Sequence, residues 1–538
     1  MGHYGAPEGA PLRGSLATET KTISAAPSDA GFVKGLGPIS ATALVMGSMI
    51  GSGIFIVSAD IARLVDSPAL LIGAWLLTGF LTITGALAYG ELAAMMPHAG
   101  GQYVYLREAF GPLWGFLYGW TLFLVVQAGT IAAVGIAFGK FLGVFFHSVS
   151  SSHWLIYHWH VPPIAFRLYI TGGPTIVLGN MDVGLNTQNL AAIVVVIFLS
   201  VLNIFGLRLG AAVQNVFTFA KTAALLGLVL LGLFVGRNFQ AMAANFSSNF
   251  WRNGGWHALH PVQVGVGGPI VLVGMLTILA VAQTGSLFSS DAWNNITFTA
   301  AEVKNPKRNL PLALALGTAS VTLLYVLANV VYLTVLPLQG DPHGATILAR
   351  GIQHASEDRV ATAVFEQIFG LSGAAIMAGA ILISTFGCNN GLILAGARVY
   401  YAMAKDGLFF RSAAKLHPKY HTPVHSLAMQ CVWTCILCIS GSYGQLLDYI
   451  IFAVLVFYIL TIAGLFVLRF KRPDEPRPYR ALGYPVLPAM YILIATFIDV
   501  VLLRYKPQYT WPGLIIVLLG IPVYFLWSKR APQANTEE

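Results

Sequence analysis

Charge is what this sequence has least of. Asp, Glu, Lys and Arg together make up 9% of it, against about 25% in a soluble globular domain. Hydrophobic residues reach 56% and the mean hydropathy is +0.72, so the chain reads as an integral membrane protein. Cysteine is also scarce. Cys388, Cys431, Cys435 and Cys438 all fall inside apolar runs and read as small core residues rather than a disulfide framework. Residues 1–38 contain no apolar stretch of signal-peptide type, which predicts a flexible cytoplasmic tail. Gly-rich phosphate loops, zinc-peptidase motifs and nucleophile elbows are missing as well, so neither an enzyme, a cofactor nor a metal site is expected. The formal net charge of +9 does not call for nucleic acid, because the basic residues gather in short loops between apolar runs, as anchoring in a bilayer requires.

What the sequence does have is apolar segments. They fall at about 39–64, 68–96, 110–147, 188–206, 211–236, 269–300, 311–336, 365–402, 424–441, 446–468, 482–503 and 510–528, each read as a membrane span. An even number of spans puts both termini on one side. That side would carry 20 Lys and Arg and the other 8, with Lys140 and Lys221 inside spans. The bias predicts both termini in the cytoplasm. A twelve-helix domain over 39–528, a tail over 1–38 and a second tail over 529–538 complete the expected organisation.

Two segments are interrupted. In the first, Gly47-Ser48-Met49-Ile50-Gly51-Ser52-Gly53 places three glycines at membrane depth, each costing a helix about 1 kcal/mol relative to alanine. Backbone groups freed there cannot face lipid, so the break must line protein or a cavity. In the sixth, Gln283 to Asn295 holds Ser289, Ser290, Asp291 and two asparagines, and an Asp at this depth costs roughly 2.5–3.5 kcal/mol on insertion scales. Paired broken helices aimed at a small charged solute are a mark of secondary transporters built from inverted repeats. The expected fold is therefore all-α, with broken helices 1 and 6. Repeat one spans about 39–236, repeat two about 269–468, and helices 11 and 12 about 482–528.

Several motifs carry a family resemblance. Gly51-Ser52-Gly53-Ile54-Phe55 resembles the first-helix motif of the amino acid–polyamine–organocation transporter superfamily. Phe288-x-x-x-x-Trp293-Asn294 and Glu302-Val303-x-Asn305-Pro306-x-x-Asn309-Leu310-Pro311 resemble its L-type amino acid transporter branch. Arg398-x-x-Tyr401-Ala402-Met403-Ala404-Lys405-Asp406-Gly407, His417-Pro418-x-x-x-Thr422-Pro423-Val424 and Pro522-Val523-Tyr524-Phe525 extend the similarity over about residues 35–528. The resemblance implies a LeuT-like fold of five-plus-five inverted repeats and a plasma-membrane carrier of L-amino acids working by alternating access. It implies amides at Gly51, Ser52 and Gly53 for the substrate carboxylate, where a half-helix begins. It also implies carbonyls around Met49, Ile50, Phe288, Ser289 and Asp291 for the ammonium, with Phe288 as an aromatic gate and Trp293 beside it. Lys221 matches a lysine that takes the place of a sodium ion, which implies sodium-independent exchange, while proton coupling through Lys221 stays open.

Departures from that branch shape the expected pocket. Ala301-Glu302 stands where paired glutamates are usual, Ala292 where a glycine precedes the Trp, Ser290 where an aromatic is frequent, and Asp291 where large-neutral carriers have a small residue. These changes imply a more polar pocket, of small-neutral or broad scope. Asp291 reads either as a substrate contact or as a half-helix cap. Gln127 and Asn390 read either as solute contacts or as bridges between helices. Residues 148–187 contain no cysteine, so the disulfide-linked ancillary glycoprotein of animal members is not expected. His153, His158 and His160 in that loop read as solvated rather than metal-binding.

Overall fold

Apolar runs in a low-dielectric slab satisfy their backbone by closing each N–H onto its own helix, and helices dominate the result. The computed structural model describes residues 32–156, 158–162, 164–167, 175–178, 181–264, 268–440 and 443–528. The expected tails lie largely (residues 1–31) and wholly (529–538) outside the described residues.

The first broken segment is α1 (Pro38–Met49) and α2 (Gly53–Val65), followed by α3 (Pro68–Met95) and the short α4 (Gln102–Phe110). Ser67 caps α3 by accepting from the Leu70 amide, with Pro68 at its first turn, where the missing N–H costs nothing. Next, α5 (Pro112–Thr121) and α6 (Gln127–Leu142) run as one rod through a π-helical turn at Leu122–Val126. Then come α7 (Thr187–Ile204), α8 (Leu207–Phe234) and α9 (Phe239–Phe246). The second broken segment is α10 (Met275–Ser289) and α11 (Asn295–Phe298). It is followed by α12 (Pro306–Val335), α13 (Ile347–Arg350), α14 (Val360–Phe369) and α15 (Leu371–Lys405). Last are α16 (Val424–Ile439), α17 (Tyr443–Lys471), α18 (Val486–Tyr505) and α19 (Pro507–Ser528).

Among the described residues, nine helices are long and apolar enough to cross a membrane, or ten if α1 and α2 form one span. The shorter apolar helices α10 and α16 occupy two further segments expected from the sequence. Exposed apolar side chains such as Val194, Phe198, Leu230 and Leu493 face outward from this bundle, as lipid contact requires.

Two segment boundaries need correction. The sixth segment does not begin at 269: Ile270–Val273 is strand β6, paired antiparallel with β5 (His260–Gln263), and α10 starts only after Gly274. The eighth does not run unbroken from 365, because Gly370 at φ 65° separates α14 from α15. Four further short strands lie in the loop before α7, where residues 159–161 pair with 181–183 and 164–167 with 175–178.

The two broken helices lie together at the centre. Helix α2 packs on α10 and α1 on α11, while α3, α8, α12 and α15 surround them.

Candidate functional site

Helix α1 stops at Met49 and α2 restarts at Gly53, bent by 40°. The turn between them frees a row of carbonyls, which surrounding helices must satisfy. Lys221 on α8, fully buried, donates from Nζ to Gly47 O and to Ile50 O at 2.8 Å. Ser384 Oγ on α15 lies 3.1 Å from both Ile50 O and Gly51 O. Cys388 Sγ lies 3.1 Å from Ser48 O. Tyr325 on α12 places its hydroxyl 3.0 Å from Met49 O and 3.1 Å from Ser289 O, so a single phenol spans both breaks.

The second break runs from Ser290 to Asn294. Ala292 holds φ at 64°, a left-handed conformation that glycine adopts without penalty and alanine does not. The two breaks touch. A Cβ built on Gly53 would stand 2.9 Å from Ser289 Cα and overlap the Ser289 side chain, so only glycine lets α2 approach α10 this closely.

Asp291 projects from the second break between two adjoining cavities of about 20 Å³ each. Gln127, Thr130, Asn294 and Asn295 line the first, together with Tyr118, Leu122 and Val126 from the rod that carries the π-turn. Such wide turns are frequent at functional sites. Thr82, Ser290, Trp293 and Tyr491 line the second. Asp291, Val454 and Tyr458 belong to both. Tyr458 donates to Asp291 Oδ1 at 2.6 Å. Trp293 packs between Tyr89 and Tyr458, with ring centroids 4.8 and 5.1 Å away. Gln102 accepts from Asn294 at 2.8 Å and donates to Phe457 O at 3.1 Å, which fixes the far wall.

The expected residues therefore divide. Met49, Ile50, Gly51, Ser52, Gly53 and Ser289 meet at the facing breaks, while Asp291, Trp293 and Gln127 wall the cavities. Gln127 also bridges, donating to Leu392 O at 2.7 Å. Three of the expected groups have protein surroundings. Met49 O accepts the Gly51 amide at 2.8 Å, Ile50 O accepts from Lys221, Ser289 O accepts from Tyr325, and Phe288 O accepts the Asp291 amide at 3.2 Å. Phe288 is buried in the apolar core outside both cavity linings. Asn390 faces away from the cavities, accepting from Asn203 at 2.9 Å and donating to Gly210 O at 3.1 Å, and so ties α15 to α7 and α8. Tyr325, Ser384 and Tyr458 were not anticipated. Each is one ordinary polar residue on a helix distant in sequence, with no spacing to mark it.

A buried ion pair joins α15 to the chain leaving α11. Arg398 on α15 makes a two-pronged pair with Glu302, at 3.0 and 3.2 Å, with both side chains at most 2% exposed. The Glu302 carbonyl accepts the amides of Gly35 and Leu36 at 3.0 Å, which pins the chain entering α1 to the chain leaving α11. Among the described residues, no group of three or more His, Cys, Asp or Glu could hold a metal ion. His160 pairs with Asp182 at 2.9 Å and His158 stacks on Trp154 at 4.3 Å.

A sequence profile described as amino acid permease matches residues 36–525. The human large neutral amino acids transporter small subunit 2 is 29% identical over 504 residues, covering 92% of this chain and 81% of that protein. The serine/threonine exchanger SteT of Bacillus subtilis (strain 168) is 28% identical over 504 residues, covering 93% and 98%. The human cystine/glutamate transporter is 28% identical over 491 residues, covering 90% and 84%.

Proposed function

This chain belongs to the amino acid permease family, and from that premise we propose that it is a sodium-independent exchanger of amino acids. It transports them across the membrane by alternating access around the two facing breaks. The observation that carries this reading is the Lys221 ammonium on Gly47 O and Ile50 O. Carbonyls freed by a broken helix are the natural ligands of a monovalent cation, and here a covalently fixed cation already occupies them. A carrier with this charge built in has no need to recruit sodium.

The amides opening α2 supply a positive dipole end for the α-carboxylate. Because Met49 O, Ile50 O and Ser289 O already have protein donors, the ammonium is assigned to the Asp291 side of the cavities, whose walls include Ser290 and Asn294. A polar wall of this kind favours small neutral or broad scope. Relatives named for serine and threonine and for large neutral amino acids are compatible with that range. Ten candidate spans with α10 and α16 bring the count to twelve. Breaks in the first and sixth support two inverted five-helix repeats, α1 to α8 and α10 to α17, with α18 and α19 outside them. The distribution of Lys and Arg supports both termini in the cytoplasm, and the plasma membrane is the location assigned to the carrier.

Purified protein in liposomes preloaded with unlabelled amino acids should take up labelled serine without sodium, and empty liposomes should take up little. Uptake that requires a pH gradient and no internal amino acid would favour a proton-coupled carrier instead. Saturable binding with no flux for any amino acid would favour a sensor.

A further inference from the structure

Asp499 lies on α18, outside every contact described above. It is 6% exposed, and neither of its carboxyl oxygens has a hydrogen-bond partner among the described residues. Carboxylates buried at membrane depth are rare unless paired or functional. The other buried acids have partners: Glu302 has Arg398, Glu91 has Arg469 and Arg477, and Asp291 has Tyr458.

The surroundings restrict what Asp499 can bind. Helix α18 packs on α3, α10, α17 and α19. Helix α10 carries no ionisable residue, α19 carries only Tyr509 and Tyr524, and α3 has Tyr89 and Glu91 near its end. On α17, Tyr458 is committed to Asp291, and Arg469 and Lys471 stand at the opposite end of that helix from Tyr443, Asp448 and Tyr449, whose side chains fall outside the described ones. On α18 itself are Tyr491, Arg504 and Tyr505. Calcium and magnesium take about six or more oxygen ligands, and among the described residues no group of three or more His, Cys, Asp or Glu could hold a metal ion. A proton needs one oxygen.

Asp499 is also connected to the site. Tyr491, eight residues earlier on the same helix, lines the second cavity together with Asp291. Helix α10, which ends in the second break, packs directly on α18. Movement of α10 during alternating access would therefore change the hydration of this face.

We propose that Asp499 is a proton-binding site, a neutral carboxylic acid in the conformation described, which gives up its proton when α10 separates from α18 and water enters. The carboxyl O–H bond breaks, the proton passes to water, and the charge left on the carboxylate is hydrated. Protonation then favours the dry packing and alkaline solution the wetted one. The inference rests on the alternating-access reading above for its effect on transport, but not for the protonation itself.

Two measurements test it. In infrared spectra of the purified full chain at neutral pH, the carbonyl stretch of a neutral carboxylic acid should be present and should lose intensity in Asp499→Asn. In preloaded liposomes, labelled serine uptake by the wild type should change several-fold between about pH 5 and pH 8, and Asp499→Asn should flatten that profile while keeping uptake. An unchanged infrared band, or superimposable pH profiles, would overturn the proposal. If the folded wild type moves no amino acid, the transport reading fails, and the infrared band still decides whether Asp499 holds a proton.

Discussion

The Tyr458 hydroxyl donates to Asp291 Oδ1 at 2.6 Å, and this bond ties α17 to the break that follows α10. A capping role would instead have Asp291 hold a helix amide. The residue that precedes α11 is Asn294, whereas Asp291 lines both cavities. A hydrogen bond to a charged group is worth roughly 1.5–3 kcal/mol, so Tyr458→Phe frees the carboxylate for a ligand by about that amount. Inhibition of labelled serine uptake by unlabelled amino acids should strengthen about tenfold in Tyr458→Phe and weaken sharply in Asp291→Asn, which loses the contact to the α-ammonium. An identical inhibition profile in all three proteins would assign Asp291 to structure alone.

Lys221 bears on turnover and folding together. Removing its ammonium leaves Ile50 O with Ser384 Oγ but takes the charged donor from Gly47 O. A stranded buried group costs about 1–3 kcal/mol. Lys221→Met should melt at a lower temperature in detergent and exchange amino acids at least about tenfold more slowly by the same arithmetic. Wild-type exchange rates in Lys221→Met would remove the role assigned to this lysine.

How much of this was legible beforehand follows from the residues. The first break was, because three glycines and two serines within Gly47–Gly53 are a compositional anomaly inside an apolar run. Asp291 stood out for the same reason. Its partner did not: Tyr458 lies 167 positions away, on a helix where one tyrosine among apolar neighbours carries no signal. Tyr325 and Ser384 were silent in the same way, as was the π-turn at Leu122–Val126, which no residue pattern announces. The strand at Ile270–Val273 was read as helix because short apolar runs look alike at either period. Gly267-Gly268-Pro269 before it and Gly274 after it were the punctuation that should have separated it. Gln127 and Asn390 looked equivalent in sequence, and only the facing helices sent one to the cavity and the other to a bridge.

Outside the membrane-spanning helices, Glu108 on α4 gives a pH prediction. Its burial alone would raise the carboxyl. Hydrogen bonds from Arg472 at 2.6 Å and Arg107 at 3.0 Å more than offset this and hold it below its ordinary value. A carboxyl depressed on folding stabilises the protein above its unfolded pKa and loses that contribution as pH falls through the folded value. The melting-temperature gap between wild type and Glu108→Gln should be full at neutral pH and close below the ordinary carboxylate range. A gap that widens with acid would contradict the ion-pair assignment.

The Glu302–Arg398 pair makes the sharper energetic prediction. Both side chains are at most 2% exposed, so each charge is tolerable only because the other is present. Deleting one partner of such a pair costs about 3–5 kcal/mol, whereas replacing both with apolar residues of similar volume is often neutral. Glu302→Leu and Arg398→Met should each destabilise the protein strongly in detergent melts, and the double variant should recover most of the loss. Transport should not recover with it. The Glu302 carbonyl also holds Gly35 and Leu36, so the pair anchors the chain entering α1 against the chain leaving α11, and under the alternating access proposed above that contact must be able to break and reform. An apolar substitute can pack but cannot exchange partners with water when the helices separate. A double variant that is stable and also exchanges amino acids at the wild-type rate would show that the pair only fills space.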